Sequence, residues 1–390
     1  MHIENIMFSL IRSEICGSDV NENIKSELTE EDYKALYDIS VKHDLSHVVA
    51  SALMRLKMLE NDEVSSDFKK RRMLAVYRDT QRNYAIKLTG DLLEQAKIPH
   101  VFLKGSVLCH LYPQSWMRTS CDVDILIHKS DAEMAEKVLC SNGFQRMEDR
   151  STHDFNYRSP NNVHIEMHYS LLQDGKVASS DVFLNEIWSK HVVLEDGCSY
   201  RYMMSEEAFI IYHLAHMARH VLDGGCGVRP FLDLWLINKT FSVDRTKLRK
   251  ILEQCNLDKL FDLSWHLSQV WMEEAVHSEE TKMFETYILR GGVYGSFENA
   301  AKVKAAKGMN KISSFLDLMF LPRKNLQVLY PKLETYPMLF GYYQVKRWFR
   351  VLDKSKRNKI KNMTEKRNNV TAVEAGTVGN LLRQLGLKSE

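Results

Sequence analysis

At Pro99 the hydrophobic period of this chain changes, and no other feature limits its fold as strongly. Upstream, apolar residues recur at helical spacing. Downstream, His100-Val-Phe-Leu-Lys reads as a short strand and Asp122 to Ile127 as another. Asp131 to Asn142 reads as a helix closed by Gly143 in the C-terminal cap position. Phe144 to Met147, Phe155 to Arg158 and Val163 to Tyr169 continue as strands, with Ser159-Pro-Asn-Asn turning between the last two. From Ser205 the helical period returns. A small mixed sheet between two helical stretches is an α+β fold. The expected division is a helical region over 1–97, a sheet-bearing core over 98–200, a helical domain over 201–350, and a basic, partly disordered tail over 351–390.

The helical stretches carry their own signals. Met7, Leu10 and Ile11 share a face, and Thr29 caps a helix whose first turn holds acids, where the macrodipole favours them. A third helix runs from about Ser66 to Ala96, with Met73, Tyr77, Tyr84, Leu88 and Leu92 at helical spacing. Lys69, Lys70, Arg71 and Arg72 at its start read as a solvated face, with a nucleic-acid patch as the sharper alternative. Later helices are expected over 205–220, 229–239, 244–256, 259–274, 279–289, 296–307, 311–320 and 325–353. Asp223-Gly-Gly-Cys-Gly reads as a flexible loop. The tail segment DKSKRNKIKNMTEKRNNV reads as a frayed helix or solvated arm, with RNA or partner contact as its alternative.

Composition narrows the classes. A chain of 390 residues suggests two or three packed units, and a formal net charge of +2 gives no global field for nucleic acid or an anionic membrane. No apolar run reaches the ~20 residues of a membrane span. An early Glu4 and a broken apolar core set the N-terminus apart from a secretory signal. The seven cysteines are scattered without a C-x-x-C pair, as reduced thiols would be. A cytoplasmic location is expected.

The chemistry-bearing residues lie within 103–168. Residues two apart on a strand share a face, so Asp122 and Asp124 project together while Val123, Ile125 and Ile127 face the core. Two carboxylates side by side repel unless a cation neutralises them, and Mg²⁺ (or Mn²⁺) is the natural partner; solvent-facing acids at a strand end are the bland alternative. Lys104-Gly105-Ser106 stands where strand meets helix. There a glycine admits close approach, backbone N–H groups attract anions, and Ser106 is placed to cap the helix or bind phosphate. Val163-His-Ile-Glu-Met-His-Tyr alternates strictly, so Glu166 would complete a three-acid set beside His164 and His168; a His-x-Glu-x-His transition-metal site is the alternative. His213, His216 and His220 share a helical face, either as substrate contacts or as interface histidines, and Asp233 follows on the next helix.

The ordered set Lys-Gly-Ser, Tyr112-Pro113, Arg118, Asp-Val-Asp-Ile-Leu-Ile and Ile-Glu-Met-His resembles nucleotidyltransferases of the DNA polymerase β type. More narrowly, it resembles their bacterial branch called uncharacterised nucleotidyltransferase. His213-Leu-Ala-His-Met-Ala-Arg-His, Arg229-Pro-Phe-Leu-Asp-Leu and Phe320-Leu-Pro-Arg extend the likeness over about 30–350. The resemblance implies that Gly105 and Ser106 hold a triphosphate, that Asp122 and Asp124 bind metal, and that Glu166 is the third acid. Glu166 stands where many relatives use aspartate, and the gap from Ser106 to Asp122 is longer than in minimal members. Lys104 and Arg118 would neutralise the departing pyrophosphate, or else form structural ion pairs.

These features point to a Mg²⁺- or Mn²⁺-dependent nucleotidyltransferase. It would use an NTP, ATP among them, and an acceptor that is a small molecule, a protein or an RNA. His168, His216, His220 and Asp233 are candidate substrate-side residues. A non-catalytic nucleotide- or partner-binding module of the same fold is the alternative. An RNA-binding factor using the basic tail is a third reading, and it predicts salt-sensitive binding.

Overall fold

The structure is a computed structural model, and it describes residues 3–20, 24, 28–147, 154–171, 175–293, 295–307, 320–321, 323–330, 332–351 and 370–387. Seven strands are formed by His100–Phe102 (β1), Asp122–Ile127 (β2), Gln145–Arg146 (β3), Asp154–Arg158 (β4), His164–His168 (β5), Val192–Leu194 (β6) and Arg201–Met204 (β7). They make one mixed sheet in the order β3-β4-β5-β2-β1-β7-β6. β2 runs antiparallel to β1 and parallel to β5. The α+β expectation holds, with helices before and after the sheet.

Side-chain alternation decides what each face does. Val123, Ile125, Ile127, Ile165 and Met167 are buried against Ala85 and Leu93 of the Glu63–Gln95 helix and Ala135 and Leu139 of the Ala132–Ser141 helix. Each such side chain contributes about 1.5–3 kcal/mol of burial, which fixes the register firmly, since a one-residue slip would turn them all to the other face. The opposite face of β2 presents Asp122, Asp124 and Leu126, and Leu126 joins a second, larger core with Val101, Leu103 and Leu108.

The Glu63–Gln95 helix forms where the spacing predicts one. Of its apolar stripe, Met73, Tyr77 and Tyr84 face outward, at 70%, 61% and 56% exposure, whereas Leu88 and Leu92 pack on the sheet-side core beside Leu93. The buried side also carries small residues such as Ala75, Ala85, Thr89 and Gly90. At Gly90 the approach is close, since a Cβ there would meet the Phe102 ring at 3.3 Å. Asp62 caps this helix by accepting from the Ser65 N–H at 2.9 Å. Buried Arg82 donates to the Arg118 carbonyl at 2.8 Å and Ser115 donates to Asp79 at 2.6 Å, which bolts the loop before β2 to the helix.

The N-terminal and C-terminal helices share the larger core. Met7, Leu10 and Ile11 of the Ile3–Ile15 helix pack in the same cluster as Leu214, Phe231 and Phe284. Phe8 stacks on Trp271 with ring centroids 4.7 Å apart, and Arg12 donates to the Trp271 carbonyl at 2.9 Å. Thr29 and Asp32 form a capping box at the start of the Glu30–Lys42 helix.

Other expectations are amended. Neither β6 nor β7 is announced by periodicity, yet β7 pairs in parallel with β1 and extends the sheet. The loop at Asp223-Gly-Gly-Cys-Gly is packed: Gly224, Gly225, Cys226 and Gly227 are buried. A Cβ on Gly295 would lie 2.6 Å from the Gly224 carbonyl carbon, so two backbones cross where only glycine fits. The helix expected over 325–353 is divided into Arg323–Leu329, Lys332–Thr335 and Phe340–Val351, with Pro337 opening a short 3₁₀ turn before the last. The helix expected over 311–320 lies outside the described residues except for Phe320. So does 352–369 of the tail, whereas Ala372–Gln384 is a helix with Val378, Leu381 and Leu382 buried. No helix among the described residues is long and apolar enough to cross a membrane.

Candidate active site

The parallel register of β2 and β5 sets Asp122 opposite His164, Asp124 opposite Glu166, and Leu126 opposite His168. Both strands have period two, so the acids and histidines gather on one face. Asp124 is 2% exposed. Its Oδ1 accepts from Lys104 Nζ at 2.7 Å and lies 2.7 Å from His168 Nε2. Asp122 Oδ1 accepts from the Ser120 hydroxyl at 2.8 Å. Glu166 lies between the two histidines, with Oε1 3.6 Å from His164 Nδ1 and Oε2 3.7 Å from His168 Nε2.

Electrostatics separates these acids. Burial alone would raise the Asp124 carboxyl, but the Lys104 ammonium and His168 more than offset it and hold it well below the usual carboxylate range. Burial works to lower Lys104, and the charge of Asp124 outweighs it and holds the ammonium protonated. Glu166 has no such partner. Burial, followed by the charges of Asp124 and Asp122, pushes its carboxyl up to about 7.

The turn that delivers Lys104 is strained. Lys104 has φ +44° and ψ −120°, in the left-handed half of the map where non-glycine residues are rare. It occupies the cap position of the short Gly105–Leu108 helix, which no side chain caps, so the expected capping role of Ser106 is not seen. The Ser106 hydroxyl is buried without a hydrogen-bond partner. Gly105 backs onto Ser120: a Cβ there would lie 3.0 Å from both Ser120 Cβ and Oγ. The glycine therefore brings the turn against the residue that holds Asp122.

A cavity of about 260 Å³ separates this face from the Glu206–Leu222 helix, and Lys104, Gly105, Asp122 and Asp124 line it. Across it stand Tyr212, His216 and His220, with the two imidazole Nε2 atoms 2.9 Å apart. Burial, then the Lys104 charge, keeps His216 neutral far below the usual histidine range; burial and Arg219 bring His220 down to about 4. His213 turns aside to the Pro230 carbonyl at 2.9 Å. Arg118 and Asp233 also line the cavity, and they are bonded to each other: Arg118 Nε donates to both Asp233 oxygens at 2.8 and 3.1 Å, and the Tyr112 hydroxyl donates to the same carboxylate at 2.8 Å. Arg229 is spoken for as well, by Asp44 at 2.7 Å and the Thr119 carbonyl at 2.8 Å.

The donor set fits a divalent cation. Asp122, His164 and Glu166 form one cluster of metal-type ligand atoms, and Asp124, Glu166 and His168 form another, each within 4.8 Å and both sharing Glu166. Three carboxylates meet on this face, and Lys104 is bonded to one of them. Among the described residues the histidines of the Glu206–Leu222 helix belong to no such cluster. Comparison with known families decides the lineage. A family model described as "Uncharacterised nucleotidyltransferase" matches residues 29–273. The chain belongs to the uncharacterised nucleotidyltransferase family. No curated protein and no solved structure was found to match it.

The nucleotidyltransferase match ends at 273, so Phe320-Leu-Pro-Arg falls beyond it. Within it lie every acid of the site and the helix that faces them. Sequence reasoning missed two members of this candidate site, Ser120 and Tyr212, and saw Arg229 only as part of a family-like motif. Tyr212 had a readable signal, since it stands four residues before His216 on one helical face. Ser120 had none, because its bond to Asp122 closes only when the loop before β2 folds.

Proposed function

We propose that this protein is a Mg²⁺- or Mn²⁺-dependent nucleotidyltransferase that moves a nucleoside monophosphate from an NTP to an acceptor and releases pyrophosphate. The observation that carries the proposal is the register of β2 against β5, which gathers Asp122, Asp124 and Glu166 on one face beside the Lys104 turn. Asp122, Asp124 and Glu166, with His164 and His168 at their sides, would hold the cation. Bound there, it supplies Lewis-acid stabilisation of charge at a transferring phosphoryl group.

The chain's own groups have separate tasks in this proposal. The Lys104 ammonium and the Gly105-Ser106 backbone face the triphosphate end, with Lys104 able to shift from Asp124 toward phosphate oxygen. Glu166, opposite Asp124 on β5, takes the acceptor's proton. Neutral His216 and His220 offer ring nitrogens to the substrate from across the cavity. Arg118 lends positive charge to the cavity wall, and Asp233 fixes its orientation. Residues 98–200 carry the chemistry, the helices after 201 close the cavity over it, and the cytoplasm is the expected compartment.

The second reading is a non-catalytic nucleotide-binding module of the same fold, in which the ion pair of Lys104 with Asp124 is structural. Incubation with each α-³²P-labelled NTP, Mg²⁺ or Mn²⁺ and cell extract separates the two. Transfer of label that disappears in Asp122→Ala and Asp124→Ala supports the enzyme. Nucleotide binding by wild type without transfer under any condition refutes it in favour of the module.

A further inference from the structure

A second cavity, of about 560 Å³, also borders Asp122, and residues 120–122 form a wall common to both. Its lining comes from the outward face of the Glu63–Gln95 helix, the β4–β5 turn and the start of β5. Arg78, Arg82 and Arg158 contribute three guanidiniums, that of Arg82 paired with Asp79, while Tyr77 adds an exposed ring, Asn161 an amide and His164 an imidazole. Asp122 is its only carboxylate among the described residues. Among the described residues Arg158 bonds to Asn162, at 3.2 and 3.3 Å, and to no carboxylate, in contrast to Arg118 and Arg229 in the first cavity, which are held at 2.8 and 2.7 Å by carboxylates. The wall is therefore cationic and offers a ring, and Met73 and Tyr84 continue its aromatic and thioether surface along the same helix.

We propose that this second cavity is the acceptor subsite and that it takes a nucleotide-bearing end, with phosphate against Arg78 and Arg158 and the base stacked on Tyr77. The inference rests on the nucleotidyl transfer proposed above. In-line displacement at phosphorus needs the attacking oxygen and the leaving group on opposite sides of the α-phosphorus. The two cavities share the wall at residues 120–122, and in this proposal the triphosphate lies on its Lys104 side and the acceptor on its Arg78 side. The acceptor's sugar hydroxyl oxygen bonds to the α-phosphorus. The bond from that phosphorus to the α,β-bridging oxygen breaks, its electron pair leaves with pyrophosphate, and the hydroxyl proton passes to Glu166. Arginine suits bidentate phosphate contact, and an exposed tyrosine is the stacking platform that proteins present to unpaired bases. The outward-facing stripe of Met73, Tyr77 and Tyr84, inexplicable as core, becomes a surface for the acceptor.

The test uses the full chain in EDTA and two fluorescent probes, labelled AMP and a labelled single-stranded RNA of about 8 nucleotides, followed by anisotropy. Tyr77→Ala should weaken probe binding roughly tenfold. Arg78→Ala and Arg158→Ala should each reduce the salt slope of binding by about 1, while Arg78→Lys retains most of it. ATP binding in the first cavity, measured separately, should stay within about twofold of wild type. Tyr77 and Arg78 are exposed, so these variants fold. RNA binding tighter than AMP assigns a polynucleotide terminus, and equal binding assigns a free nucleotide. Failure of wild type to bind either probe, or equal affinity in all variants, overturns the subsite. Label transfer to a neutral polyol, unaltered by Tyr77→Ala and Arg78→Ala, overturns the subsite and leaves nucleotidyl transfer standing. Probe binding lost in the variants, without transfer to any acceptor, upholds the subsite and overturns the reaction.

Discussion

Glu166→Gln should stabilise the metal-free protein at alkaline pH and not at acid pH. The Glu166 carboxyl is pushed from 4.5 up to about 7 by burial and by Asp124 and Asp122. The folded state therefore binds more protons than the unfolded state between those two values. Stability must fall as pH rises through that window, and the penalty is complete above 7. Two and a half units correspond to about 3 kcal/mol at 1.36 kcal/mol each. The side chain is 25% exposed, and solvent screening brings the expectation to about 2 kcal/mol. Glutamine carries no charge and escapes the penalty. In EDTA, urea midpoints of wild type and Glu166→Gln taken from pH 4.5 to 8.5 should diverge by that amount, with the variant gaining as pH rises. Adding Mg²⁺ or Mn²⁺ at pH 8 should then raise wild type and leave the variant nearly unmoved, because a ligand stabilises only the state that binds it. A difference between the two proteins that stays flat from pH 5 to 8 would refute the idea that Glu166 is held against uncompensated negative charge.

Three further outcomes follow from the same geometry. Arg118→Ala leaves Asp233, 1% exposed, without its cation and should cost about 3 kcal/mol by urea unfolding, most of it recovered in Arg118→Met combined with Asp233→Leu; unchanged stability would show that the pair contributes nothing to the fold. Gly295→Ala forces a Cβ to within 2.6 Å of backbone and should cost more than about 2 kcal/mol of stability, seen as a clearly lower thermal midpoint, and a wild-type midpoint would disprove the backbone crossing. His43 is buried with its pKa lowered to about 4, so its contribution is fully present above 6.5 and is lost as pH falls from 6.5 toward 4, by about 3 kcal/mol at most. His43→Gln should remove that part of the acid slope, and an unchanged slope would assign it elsewhere.

How far the sequence spoke depended on whether a feature was local. The alternation of Asp122 to Ile127 and of Val163 to Tyr169 is period two, and each strand's two faces are legible from it. That Asp124 lies opposite Glu166 is a matter of pairing across strands, and no local signal carries it. Arg118 and Asp233 were both visible as candidates, but their mutual bond joins residues 115 apart and was not. The stripe of Met73, Tyr77, Tyr84, Leu88 and Leu92 was legible as a period, but the period does not say which part is covered: Leu88 and Leu92 reach the sheet-side core and the first three face outward. β6 and β7 are short and have partly exposed side chains, so neither periodicity nor burial marks them. The glycines at 224, 225, 227 and 295 look like slack in the sequence, whereas contact between two backbones selects them.

The stacking of Phe8 on Trp271 bears on how the chain is made. The Ile3–Ile15 helix has its aromatic partner 263 positions later, and Arg12 finds its carbonyl 259 positions later. At about 5–20 residues per second, that apolar surface stays partly uncovered for tens of seconds of synthesis. The early helices are thus a natural client for holding chaperones. A fragment ending before residue 271 should aggregate even when its sheet is complete.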